Sequence, residues 1–147
     1  MLDFEIIHRK GHQQSGVTAV ESFSSDFTRN GESLLKMLTN SPVNLPDYLG
    51  CFARGWDKLN KHSLDQLLLK ALPETESGRS LIYVCPECAD IGCGAYGCKV
   101  KQNGGKYVWS DFAYENGYEK PEPVDQVGPF EFDARLYESI ILSAYAL

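Results

Sequence analysis

The sequence predicts an α+β fold: a single domain in which a mixed, largely antiparallel sheet is covered by two or three helices. Three observations predict it. Short β-branched or aromatic runs alternate with Gly- and Asn-rich turns, as antiparallel strands require. Two stretches rich in leucine or isoleucine repeat at helical spacing. A chain of 147 residues can bury one core without metal or disulfide staples.

Taken in order, "DFEIIHR" (3–9) suits a first strand, and "KGHQQSG" a turn. "TAVESFSSDFTRNG" holds a second extended segment, ended by the turn pair Asn30-Gly31. "ESLLKMLTN" (32–40) places Leu34, Leu35 and Leu38 on one side of a short helix. "SPVNLPDYLG", punctuated by Pro42, Pro46 and Gly50, reads as a loop packed by Tyr48 and Leu49. In "KHSLDQLLLKALP", Ser63 and Gln66 match a capping box. Leu64, Leu67, Leu68 and Ala71 form one stripe, and Pro73 stops the helix expected over 62–72. "SLIYVC" (80–85) fits a central strand. Segments 95–102 and 106–114 form a hairpin about "NGG" (103–105). "ENGYEKPEPVDQVGP" has too many Pro and Gly for a regular element and is expected on the surface. The last helix, 133–144, is capped by Asp133 and stapled by Phe132 and Tyr137, with Leu136, Ile140, Ile141 and Ala144 toward the core. One sheet is expected from the 3–9, 80–85, 95–102 and 106–114 segments.

Charge narrows the function classes by its position. Residues 1–110 hold 12 acids and 12 bases, whereas 111–147 hold 8 acids against Lys120 and Arg135 alone. The whole net charge of −6 therefore sits in the last quarter. Phosphate binding needs the opposite sign, so nucleic acid is not an expected direct ligand. A basic protein is the favoured partner, because complementary potentials speed encounter. Asp111, Glu115, Tyr118, Glu119, Glu122 and Asp125, with Tyr114 interleaved, are the expected partner-binding residues; the alternative is a merely solvated acidic face. No apolar run is long enough to span a membrane. Asp3 and Glu5 stand where a signal peptide would carry positive charge, so a cytoplasmic location with reduced thiols is expected.

"CPECADIGCGAYGC" (85–98) holds four of the five cysteines, spaced C-x2-C-x4-C-x4-C. A zinc ion held by Cys85, Cys88, Cys93 and Cys98 is one reading, a thiol-redox C-x-x-C another, and core or turn thiols a third. Alternation sets Cys98 inward with Tyr96 and Val100, as a core thiol would be. Glu87 and Asp90 stand where nucleic-acid-binding knuckles are basic. The following "ADIGCGAYG" has no helical stripe to lower a redox thiol's pKa. The expectation is no cofactor, with zinc or thiol-redox chemistry at the C-P-E-C-x4-C loop as the alternative. His8, His12 and His62 are the only histidines. No nucleophile elbow, P-loop, dinucleotide fingerprint or zincin helix occurs. Asp111 and Glu115 could serve as acid and base, but a solvated face is the simpler reading, and no enzyme is expected. Trp56 and Trp109 read as core anchors or interface hot spots.

From "RGWDKLNKHSLDQLLLKALPE" through "YVCPECADIGCGAYGCKV" and "YVWSDFAYENGY" to "GPFEFDARLYESII", about residues 55–142, the chain resembles a group of small uncharacterised bacterial proteins. Their signature reads YVCPEC-x4-CGA, a hairpin, WSDF-x-YE, then GPF-x-FD before a last helix. Some of that group carry an oxidoreductase label, for which no cofactor motif stands here. The resemblance implies a plain strand residue at Cys98. By type, a small, acidic chain without a catalytic set is similar to immunity proteins of contact-dependent, polymorphic toxin systems. That likeness implies direct binding of a cognate toxin, often a basic nuclease domain.

Overall fold

In the computed structural model of the protein, residues 1–14, 17–19, 21–40, 47–86 and 91–147 are described. Strand β1 (Leu2–Arg9) leads through the small hairpin β2 (His12–Gln14) and β3 (Val17–Ala19) to β4 (Ser22–Arg29). β1 and β4 pair antiparallel along their whole length, Leu2 opposite Arg29 and Arg9 opposite Ser22. Asn30 (φ 51°) and Gly31 (φ 84°) then turn the chain, which these two residue types do at least steric cost. β5 (Glu32–Ser33) and helix α1 (Leu34–Thr39) follow. The Ser33 hydroxyl accepts the Lys36 N–H as N-cap, and Leu34, Leu35 and Leu38 are buried, as the leucine pattern predicts.

A second antiparallel sheet has the order β10 (Glu122–Pro123), β9 (Lys106–Glu115), β8 (Ala95–Asn103), β7 (Ser80–Val84), β6 (Leu49–Gly50). β11 (Phe130–Asp133) pairs with the first part of β9. The predicted α+β architecture is thus present, but the expected single sheet is not. β1 belongs with β4 and β5 in a separate three-stranded sheet, because the nearest antiparallel partner in sequence captures it first. Of the expected loop 41–50, residues 41–46 lie outside the described residues, and Leu49 and Gly50 open a segment, 49–54, that stitches the two sheets. Leu49 and Gly50 pair with Val84 and Tyr83. Cys51 N–H donates to Ile82 O, then Phe52 O accepts from Ser25 N–H and Arg54 N–H donates to Phe23 O, each at 2.9 Å. Only glycine fits at position 50, since a Cβ there would lie 1.8 Å from Ser25 O.

Helix α2 spans Asp57–Leu67, which corrects the predicted start. Ser63 is a buried interior residue of that helix, not a cap. Trp56 occupies the N-cap without a side-chain bond. Asn60 fixes this end instead, accepting the Ala53 N–H and donating to Ala53 O, both at 2.8 Å. The helix also stops before Pro73: Leu69 adopts φ 59°, and Ala71 and Leu72 are exposed.

Helix α3 (Ala134–Tyr145) keeps its predicted cap, Asp133 accepting the Leu136 N–H. The Phe132 and Tyr137 rings stack 5.9 Å apart, completing the staple. Leu136, placed inward by the sequence pattern, is 61% exposed, and Tyr137 takes the buried position beside Ile141 and Ala144. The reason is a relay of polar tips. The Trp109 indole N–H donates to the Tyr137 hydroxyl at 3.2 Å, which donates to Leu67 O at 2.7 Å. One aromatic thereby ties α3, the end of α2 and β9 together, and Trp109 is the core anchor. Trp56 is half-buried against the smaller cluster of Leu49, Ala53, Val84 and Ala95. Buried Asp26 links the first sheet to the second, accepting from the hydroxyls of Tyr83 and Ser33 at 2.5 Å each. No helix among the described residues is long and apolar enough to cross a membrane.

Candidate functional site

The acidic segment begins inside β9, where a bulge breaks the ladder. Gly97 opposes Ala113 and Lys99 opposes Ser110, so Cys98 faces the extra residue. Asp111 sits in that bulge at φ 58°, a conformation that short polar side chains tolerate better than most. Buried Arg79 holds it there. Arg79 Nε donates to Asp111 O at 2.6 Å and Nη2 to Asp111 Oδ1 at 2.9 Å. Lys99 Nζ approaches Asp111 Oδ2 at 3.0 Å. Hydrogen bonds from Lys99 and then Arg79 hold the Asp111 carboxyl below its ordinary range. Glu115 is only 6% exposed; it accepts the Ser77 hydroxyl at 2.8 Å and lies 3.6 Å from Arg79 Nη1. Two of the six sequence-predicted site residues are therefore bound to one buried guanidinium, and this also occupies the carboxylates considered as acid and base.

The other four stand apart from that network. Tyr118 is 84% exposed, and Glu119, Glu122 and Asp125 are exposed. The turn carrying Tyr118 and Glu119 is held by Asn116, whose Oδ1 accepts both their N–H groups at 2.9 and 3.0 Å. Glu122 lies opposite Tyr114, and Tyr114 opposite Tyr96. Side chains of directly opposed residues share a sheet face, so the row reads carboxylate, phenol, phenol across three strands. Tyr48 extends it. The Tyr48 and Tyr96 rings meet edge-on at 5.4 Å, those of Tyr96 and Tyr114 at 5.3 Å. All three rings are half-buried. Burial, then Tyr96, Tyr114 and Cys85, push the Tyr48 phenol up to about 12. Burial, Tyr114 and the Glu122 carboxylate raise that of Tyr96. The Tyr48 and Tyr96 phenols therefore stay neutral donors at any physiological pH. Sequence reading misses Tyr48 and Tyr96 as site residues: it makes Tyr48 packing for a loop and sets Tyr96 inward with Cys98 and Val100.

No protein-family model, curated protein or solved structure matches the chain.

The cysteines divide by position. Cys98 is fully buried within β8, as alternation predicts, and burial, then neighbouring Cys51, push its thiol well above the ordinary range against the pull of Arg79. Cys51, which the sequence did not single out, is also buried and is pushed up to about 12 despite a hydrogen bond with Ser63. Thiol-redox chemistry uses the thiolate, so burial at both sites works against that role. Cys85 follows β7 and is half-buried, and Cys93 is exposed in a 3-10 turn, Ile91–Cys93. Cys88, with Glu87 and Asp90, lies outside the described residues. Among the described residues no group of three or more His, Cys, Asp or Glu converges on a metal position. His8 and His62 form exposed pairs with Glu21 at 3.0 Å and Glu74 at 2.6 Å, and His62 lies within α2 rather than at its cap.

Proposed function

We infer that the protein is a non-enzymatic binding protein: an immunity protein of the bacterial cytoplasm that neutralises a cognate toxin, a basic nuclease domain, by covering it directly. One observation carries this reading. The acidic excess of residues 111–147 divides so that Glu119, Glu122 and Asp125 remain exposed, with Glu122 opposite Tyr114 in a row of tyrosines. Tyrosine supplies contact area at little entropic cost, and its ring face attracts Lys or Arg; the carboxylates supply steering and pairing. The binding face is Tyr48, Tyr96, Tyr114 and Tyr118 with Glu119, Glu122 and Asp125. Asp111 lies beside it, and Glu115 acts underneath as support. The resemblance by type to toxin immunity proteins favours the same partner chemistry.

The test is co-expression with the toxin domain encoded beside the gene. The wild-type chain is expected to restore growth, and Glu119→Lys with Glu122→Lys to slow association, as raised salt also does. An unchanged association rate with full protection would remove this face from the interface. No rescue of any neighbouring toxin would end the immunity reading itself.

A further inference from the structure

β8 has an open stretch of edge. β7 pairs with it only as far as Ser80 opposite Cys98, so among the described residues 99–103 have a strand neighbour in β9 alone. Gly104 and Gly105 join Asn103 to Lys106, and a two-residue turn makes its flanking residues a hydrogen-bonded pair. Such pairs alternate along an antiparallel ladder. Lys99 and Lys101 therefore bond to β9, whereas Val100 and Gln102 direct N–H and C=O toward the open side. Cys98 fits the same alternation, since it faces Ser80 on that side.

The chain that leaves α2 runs across from this edge, and the two enclose a groove of about 500 Å³. Leu69, Lys70 and Leu72 line one wall, and Lys99, Val100 and Lys101 the other. Among the described residues no carboxylate lines it, although the chain has 20 acids against 14 bases. Asp111 holds Lys99 at 3.0 Å, but Lys70 and Lys101 are exposed and pair with no described carboxylate. Leu72 is 88% exposed. Leu69 stands at φ 59° in the stop of α2, where the Leu69 and Lys70 N–H groups donate to Gln66 O and Asp65 O. This motif ordinarily takes glycine at that position. A leucine strains the backbone there, and because Leu69 is 41% exposed, burial offsets only part of the strain. Strain that packing does not explain is found at ligand contacts.

We propose that this groove binds an extended acidic segment of a partner protein, which adds to the open edge of β8 as a further strand. The backbone selects a peptide: Val100 and Gln102 offer donors and acceptors in strand geometry, which another extended chain matches group for group. Charge selects an acidic one, because two lysines without partners and a third shared with Asp111 meet no opposing carboxylate in the groove. Directly opposed residues of paired strands share a face, so the pattern of the segment follows. Its residues opposite Lys99 and Lys101 are acidic, and the one between them, opposite Val100, is apolar. Leu69 and Leu72 give that segment an apolar wall. A nucleic-acid strand would use the lysines but leave the strand edge and the leucines uncovered. Tyr118, Glu119 and Glu122 do not line the groove, so this contact is additional to the acidic face and opposite to it in sign.

The probe is a fluorescent octapeptide of alternating valine and glutamate, titrated with the full chain and read by anisotropy. Binding is expected in the micromolar to sub-millimolar range. Lys70→Glu with Lys101→Glu should weaken it about tenfold or more and leave the melting temperature unmoved. N-methylation of the peptide's valines, which face the outward groups of Val100, should abolish binding, and N-methylation of its glutamates should not. Leu69→Gly relieves the strain and removes part of the wall, so it should raise the melting temperature while weakening the peptide. Glu119→Lys with Glu122→Lys should not weaken the peptide, which separates this site from the acidic face. A peptide that fails to bind, that binds the lysine-reversed chain equally well, or that binds whichever residues are N-methylated overturns the proposal. An oligothymidylate of the same length that binds more tightly than the peptide, and loses that binding in the lysine-reversed chain, overturns it too.

Discussion

Asp111 and Glu115 lie in the same acidic stretch as Glu119 and Glu122, yet the two pairs have opposite fates. The first pair turns toward Arg79: Glu115 is buried, and Asp111 is gripped by Arg79 and Lys99. The second pair has open solvent on a turn held by Asn116 and a short edge strand. Strand geometry makes the difference. The bulge at Asp111 shifts the parity of β9, which sends Tyr114 to the face of Tyr96 and Glu122 and leaves Glu115 on the side of Ser77 and Arg79. A charge run is thus not one surface. Half of it stabilises the fold, and half is available to a partner.

The largest expected effect breaks the buried half. Arg79→Leu leaves Glu115 without its cation and the Asp111 carbonyl without its donor. Losing one partner of a buried ion pair typically costs about 3–5 kcal/mol, and urea unfolding should show a loss of that order. A loss under about 1 kcal/mol would mean that the network is incidental to stability.

Next in size is Gly94→Ala, which probes the seam between the halves. Gly94 has φ 94°, and a Cβ there would sit 2.1 Å from the Tyr114 hydroxyl. The backbone strain alone is worth about 1–2 kcal/mol, and the ring must move aside. We expect a lowered melting temperature together with weakened partner binding. An unchanged melting temperature would show that the turn relaxes freely.

This division was only half legible in the sequence. Local patterns read correctly: the Asn30-Gly31 turn, the leucines of α1, the β8–β9 hairpin, the Phe132–Tyr137 staple and the inward Cys98 all follow from neighbours a few residues apart. What failed depended on distant partners. Ser63 and Gln66 imitate a capping box, but α2 starts at Asp57 because Asn60 grips Ala53. Leu136 fits the helical stripe as well as Tyr137 does, and only Trp109 and Leu67, far along the chain, favour the tyrosine. Arg79 stands 32 residues from Asp111; no spacing rule links them, and the bulge that joins them leaves no signature in "WSDFAYE". The tyrosine row was hidden for the same reason, since its members meet only through cross-strand register.

A pH titration sharpens the comparison further. The Asp111 carboxyl has its pKa lowered in the folded state from an ordinary 3.8. A depressed carboxylate contributes stability that is fully present above its unfolded value and is lost as pH falls through the folded one. Asp111→Asn keeps a side chain that tolerates positive φ but removes the charge. The wild-type advantage over this variant should be constant from neutrality to about pH 5 and shrink steadily in more acid solution. A stability difference that does not change down to pH 2 would assign it to packing rather than to the ion pair.

The smallest expected effect is the most telling for the exposed half. Glu119 and Glu122 are exposed, and neither touches Arg79. Surface substitutions away from caps, cores and networks usually stay within about 0.5 kcal/mol, so Glu119→Lys with Glu122→Lys should leave the unfolding midpoint almost unmoved. The same reversal removes two negative charges beside the tyrosines and adds two positive ones, so any effect on partner association belongs to the interface and not to the fold. A marked drop in stability would instead place these carboxylates in an undetected supporting role, and the contrast between the two halves of the acidic segment would collapse.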